Sequence, residues 1–337
     1  MVRILIVSDP HYVGPSERGR KDYEACWLPK LSQRLFVRAY RRFFWMKDPL
    51  IQTELFLSAL EEAGDQAVDW VVLNGDLSLD TGFVGVSDPL AFESARLCLN
   101  EIWERFDKQT LRVTLGDHDL GKMSMMGGRG GMRIDSLNRF RDDLDIEPCW
   151  HLDLGSFRLM GICSSLVALP AYQHDLEPEE KAVWYRERAC HLNSIQSRLE
   201  SLGKHQRLIL FCHDPTALPF LLDEQVVTQA ILDKIERTVL GHLHSPSIFS
   251  LSSRLAGMKP IRFLGRTGEK ISKALQKAGN WTPFKPILCP SPGGIQLCKD
   301  GGYLTLNLDL EGMKVDFEFH PLSWKKPWPD LHRRIQT

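Results

Sequence analysis

Val2-Arg3-Ile4-Leu5-Ile6-Val7-Ser8-Asp9-Pro10-His11 opens as a nearly unbroken aliphatic run and closes on a carboxylate and an imidazole. A strand without polar alternation is buried on both faces, as in the middle of an α/β sheet. Sheets of that kind carry their chemistry just beyond the carboxyl ends of their strands. Two hard metal ligands therefore stand where a site is expected, and the question passes to the rest of the chain.

The same arrangement recurs. Val68 to Leu73 ends in Asn74-Gly75-Asp76, and Leu111 to Leu115 ends in Gly116-Asp117-His118-Asp119. Arg207 to Cys212 ends in His213-Asp214-Pro215, and Thr238 to Leu240 ends in Gly241-His242-Leu243-His244. Helical patterns lie between the early strands, from Pro49 to about Gly64 and from about Pro89 to Phe106, with proline at each start. A further helix is expected from about Asn193 to Leu202, stopped by Gly203, and strands at Cys149 to Leu154, Phe157 to Cys163, Ile295 to Leu297, Tyr303 to Leu310 and Lys314 to His320. This alternation predicts an α/β fold.

Length and composition fit that class. The chain has 337 residues, 43% apolar and 25% charged, which is ordinary for a globular protein with a sizeable core. No apolar run reaches the length of about 18 residues that a spanning helix needs, and no charged-then-apolar leader opens the chain, so a cytoplasmic location is expected. Eight cysteines are irregularly spaced with no C-x-x-C pair, a pattern of free thiols, not of a disulfide framework or a zinc cluster.

Five strand exits thus hold Asp9, His11, Asp76, Asp117, His118, His213, His242 and His244. One aspartate or histidine after a strand is commonplace; five such exits are not. Mixed carboxylate and imidazole donors suit Mn, Fe or Zn better than the all-oxygen cages of Ca or Mg, and the set is large enough for two ions.

In their order, these motifs resemble the five motifs of the calcineurin-like metallophosphoesterases, and Pro290-Ser291-Pro292-Gly293-Gly294 with the strand after it is similar to the closing turn of that fold. The resemblance implies a four-layer αββα sandwich over residues 1–320, with 321–337 as a C-terminal tail. It implies two divalent ions, manganese first and iron or zinc as alternatives: Asp9, His11, Asp76 and His244 on one, and Asp76, Asp117, His213 and His242 on the other, with Asp76 bridging. Such a pair clamps a phosphoryl group and makes hydroxide available near neutral pH. His118 would contact the phosphate and protonate the leaving group, with Asp119 orienting its imidazole. Most members carry Asn where this chain has Asp117, which adds a negative charge to the second site.

Net charge is −1, yet residues 12–47 carry +6 and residues 254–287 carry +7, leaving the remainder at −14. Positive charge collected into two segments points to an anionic partner. Both fall in connections that leave ligand-bearing strands, 12–48 and 245–288, and both are expected to overhang the site as caps. On a helical wheel Leu35, Phe36, Val37, Ala39, Tyr40, Phe43, Phe44 and Met46 fill one half, while Arg34, Arg38, Arg41 and Arg42 fall opposite with Trp45 among them. That is the pattern of an interfacial membrane helix; packing against its own domain or a second subunit is the alternative. Candidate substrate contacts are Arg38, Arg41, Arg42, Arg129, Lys270 and Lys273. In layout and charge the chain resembles the membrane-peripheral UDP-2,3-diacylglucosamine pyrophosphatases. The expected substrate is a phosphate-containing small molecule or lipid, handled on the inner face of a membrane. A nuclease or cyclic-nucleotide phosphodiesterase is the alternative enzyme, with nucleic acid as partner, and a non-catalytic metal-binding scaffold is the alternative of another class.

Overall fold

The computed structural model describes residues 1–258 and 274–324. Its strands are β1 (Val2–Val7), β2 (Trp70–Asn74), β3 (Leu111–Thr114), β4 (Cys149–Leu154), β5 (Phe157–Ile162), β6 (Arg207–Cys212), β7 (Ile235–Leu240), β8 (Pro286–Leu288), β9 (Gly302–Asp309) and β10 (Lys314–Pro321). They form two five-stranded sheets, ordered β10-β9-β1-β2-β3 and β4-β5-β6-β7-β8. β1, β2 and β3 run parallel, as do β5 to β8, while β9, β10 and β4 join antiparallel.

The aliphatic runs are explained by burial on both faces. Ile4, Ile6 and Val72 of the first sheet meet Phe157, Leu159, Ile209, Phe211 and Val239 of the second in one buried cluster. The alternate residues, Leu5, Val7, Val71, Leu73, Leu208 and Leu210, belong to the other large core cluster, which also takes in the helices. Since neighbouring side chains on a strand point to opposite faces, both parities are apolar, and the result is the expected αββα sandwich.

Helices α1 (Pro15–Arg18), α2 (Leu31–Phe43), α3 (Leu50–Gly64), α4 (Pro89–Trp103), α5 (Asp117–Leu120) and α6 (Ile134–Asp142) precede β4. At the start of α4 the Asp88 carboxylate accepts from the Leu90 amide, one of the orphan donors of a helix end. The later helix runs from Lys181 to Glu200, much longer than the expected 193–202. Its buried face is Trp184, Arg188, His191, Ile195 and Leu199, and the two polar members hide the apolar period. The Ile295 to Leu297 strand is absent: those residues form a turn, where the Gln296 and Leu297 amides donate to the Trp45 and Phe44 carbonyls. All eight cysteines are free.

The connection 245–288 is in part framework instead of cap. Its end is β8, paired with β7, and Ala278, Trp281 and Phe284 are buried in the main core. Lys277 pairs with Asp223 at 3.0 Å. Lys270 and Lys273 lie outside the described residues.

Candidate metal centre

The exits of β1, β2, β3, β6 and β7 meet at one rim of the two sheets. There the ligand atoms of Asp9, His11, Asp76 and His244 all lie within 4.8 Å of one another, as do those of Asp76, Asp117, His213 and His242. Asp76 belongs to both groups. His213 Nε2 stands 3.2 Å from Asp76 Oδ2 and 3.5 Å from Asp117 Oδ1, and His11 Nε2 stands 3.7 Å from Asp76 Oδ2. His11 Nε2 and His244 Nδ1 are buried with no hydrogen-bond partner among the described residues, and the close neighbours of His213 Nε2 are the carboxylates of the cluster itself. Buried polar atoms of this kind are otherwise satisfied, so orphan nitrogens converging with carboxylates fit a pair of divalent ions.

The backbone is bent to achieve this. Asp9, His11, Asp76, His242 and His244 have φ of 52°, 40°, 57°, 61° and 58°, the left-handed region that non-glycine residues rarely occupy. Two of the glycines beside them are required by space. A β-carbon on Gly116 would collide with the Asp76 carboxylate and backbone, and one on Gly241 with Ser8 Oγ and the Asp9 carboxylate.

Main-chain carbonyls from one short segment aim three imidazoles. The carbonyl of Asn74 accepts from His213 Nδ1 at 2.7 Å, that of Leu79 from His118 Nδ1 at 2.9 Å, and that of Ser78 faces His11 Nδ1 at 3.4 Å. In each ring the Nε2 is thereby left for the centre, the usual way a second contact selects the tautomer of a ligand. Ser8 places its hydroxyl between the Asp9 carboxylate and the Asn74 carbonyl.

Electrostatics follow from so much buried charge. Burial, reinforced by Asp76, raises the Asp9 carboxyl to about 7 despite His213. Burial opposes the charge on Asp76 as well, but His213 and His118 hold it below the usual carboxylate range. Burial works against protonation of His242, yet Asp214 and Asp117 push it up to about 9. The cluster has a standing demand for positive charge.

Comparison with known proteins agrees with this geometry. The family model described as Calcineurin-like phosphoesterase matches residues 2–246, well over half of the chain. The chain belongs to the calcineurin-like phosphoesterase family. It is accordingly a phosphoester hydrolase. No curated protein matches it by sequence. Among solved structures it is similar to a dimetal phosphatase from Danio rerio, at 12% identity and a TM-score of 0.48, covering 94% of this chain and 95% of that one. A phosphopantetheinyl hydrolase from Mycobacterium tuberculosis is 13% identical, with 72% and 82% covered and a TM-score of 0.34. A purple acid phosphatase from yellow lupin seeds is 15% identical, with 72% and 38% covered and a TM-score of 0.33.

In this phosphoesterase His118 lies beside the cluster, its ring 4.6 Å from that of His11, with Nε2 buried and unpartnered. Asp119 does not orient it. The Asp119 carboxylate accepts from the amides of Asp76, Leu77 and Gly116 at 2.8–2.9 Å, so it ties the β2 exit to the β3 exit while Leu79 orients the imidazole. The extra charge of Asp117 has its own partner: Lys122 Nζ lies 3.5 Å from Asp117 Oδ2.

The first insertion does reach the centre, though not by its expected basic face. α2 stops at Phe43, and the amides of Phe44 and Trp45 both donate to the Tyr40 carbonyl. Trp45 is therefore past the helix and off the wheel, and its ring meets His244 edge-on at 4.4 Å and His11 at 6.1 Å. Arg38 pairs with Asp22, Arg41 lies over Tyr23 and Arg42 over Phe43. Arg129 lies elsewhere, in the run Gly127-Gly128-Arg129-Gly130-Gly131, stacked on Trp27 at 3.6 Å. Trp45, Lys122 and the carbonyl cradle went unread in the sequence: a tryptophan in an arginine-rich run carries no metal signal, and a carbonyl has no residue identity.

Proposed function

We propose that this phosphoesterase hydrolyses a diester or anhydride bond in an anionic, amphipathic substrate such as a nucleotide-sugar lipid, working at the surface of a membrane with a manganese pair. The observation that carries the reading is the double role of the first insertion. Leu31, Leu35, Phe36 and Phe43 of α2 are 55–68% exposed, whereas the turn directly after the helix brings Trp45 onto two of the candidate ligands. Large exposed apolar side chains gathered on one helix and flanked by arginines suit an anionic lipid surface. Among the described residues no helix is long and apolar enough to cross a membrane; the contact proposed is peripheral, on the cytoplasmic face.

Asp9, His11, Asp76 and His244 would hold one ion, and Asp76, Asp117, His213 and His242 the other. Bound there, the pair supplies Lewis acidity and an activated water. The chain's own residues do the rest. Asp76 stands in both groups and fixes their separation. Leu79 holds the Nδ1 proton of His118, which leaves Nε2 as the atom that exchanges a proton with the departing oxygen. Trp45 walls the side facing the insertion and limits water there.

The test compares turnover of bis-(p-nitrophenyl) phosphate, a nucleotide-sugar lipid in anionic vesicles, and single-stranded DNA, after loading with Mn, Fe or Zn. Fastest turnover of the lipid with manganese is expected. Preference for DNA would overturn the reading in favour of a nuclease, and turnover of none by any loaded form would favour a scaffold.

A further inference from the structure

Beside the metal centre the first insertion encloses a second feature that the chemistry above does not use. A cavity of about 320 Å³ is bordered by seven Lys and Arg side chains against Glu17, Asp22 and Asp48. Glu17 Oε1 accepts from the Thr81 amide and hydroxyl and Asp48 Oδ1 from the Leu50 amide, while Asp22 neutralises Arg38, one of the seven. Arg20 is likewise satisfied by Asp88. Arg18, Lys21 and Lys47 form no ion pair among the described residues. Arg18 is the informative one, because its Nε and Nη2 are buried with no hydrogen-bond partner.

The buried edge of the Arg18 guanidinium has no acceptor to offset its charge, and the planar fork of arginine at the cavity wall fits the oxygens of a phosphate. The cavity also adjoins the reaction site. Its wall includes Val13, two residues after His11, and Leu79, whose carbonyl holds His118. We propose that this cavity is an anion subsite that takes a second phosphate of the substrate while the first lies on the metal pair. The enzyme is thereby selective for substrates carrying two phosphate groups over those carrying one. This rests on the phosphoesterase site described above and names part of what that site accepts.

The test uses inert probes and no turnover. Binding of α,ω-alkanediphosphonates with linkers of two to eight methylenes to the metal-loaded chain is measured by titration calorimetry, each against the alkylphosphonate of equal length. Two linked groups seated together raise affinity through effective concentration, with an optimum where the linker matches the span. At the best length the diphosphonate is expected to bind at least about tenfold tighter than its single-headed control. In Arg18→Gln and in Lys47→Gln that ratio is expected to fall towards one. No advantage at any length, or an advantage that survives both substitutions, would overturn the subsite. If alkylphosphonates showed no metal-dependent binding, the metal site would fail first and the subsite with it, an outcome visible in the controls alone.

Discussion

Asp76 is the residue on which both ligand groups depend, and its replacement separates a shared ligand from two independent sites. Asp76→Asn is expected to lower metal content for both ions together and to reduce activity by more than about 100-fold, read by elemental analysis and turnover of the same preparation. Loss of only one ion would show that Asp76 does not bridge. Asp119 makes the opposite case. Its carboxylate serves three buried amides, so Asp119→Ala leaves those donors unpaired and is expected to cost about 2–4 kcal/mol in urea unfolding. Full stability with altered activity would instead favour an orienting role for the carboxylate. At this scale the sequence was informative wherever a carboxylate or imidazole ended an aliphatic run. It was misleading at Asp119, because adjacency to His118 suggested a partnership that the chain turns elsewhere.

Among the elements, α2 illustrates how far a helical wheel reaches. The pattern placed Leu35, Phe36 and Phe43 on an apolar half, and these side chains are exposed in the folded protein. Val37 and Met46, counted on the same half, are buried; Val37 belongs to a small cluster with Ala25 and Leu28. The wheel failed beyond Phe43 because helical geometry stops there. Leu35→Glu combined with Phe43→Glu is expected to abolish co-sedimentation with anionic vesicles while changing unfolding stability by no more than about 0.5 kcal/mol per site, as exposed substitutions do. Retained vesicle binding would sink the membrane role of the helix. The strands were legible for the contrary reason: burial on both faces makes them aliphatic regardless of neighbours. The Lys181–Glu200 helix was half hidden because Arg188 and His191 occupy its buried face.

At the scale of the whole molecule, stability in acid is expected to depend on His191. It is 3% exposed, and burial, with Arg141, lowers its pKa to about 3 from 6.5. Across that interval the unfolded chain binds a proton that the folded chain refuses, so this histidine's contribution is complete above about pH 6.5 and is lost as pH falls. His191→Gln is expected to flatten the fall in unfolding free energy between pH 7 and pH 5 relative to the native chain; an unchanged slope would contradict it. The carbonyls of Asn74, Ser78 and Leu79, taken together, have a different consequence. Three imidazoles take their direction from peptide oxygens, which every amino acid possesses, so point substitutions along this segment cannot delete the acceptors. Apart from Asp76, which is itself a candidate ligand, and Gly75, whose β-carbon would strike the His213 ring, drift in the side chains of that hexapeptide leaves the acceptors in place, whereas gain or loss of a single residue would shift all three oxygens at once. The aim of the three imidazoles is thereby robust to misspelling and fragile to changes of length.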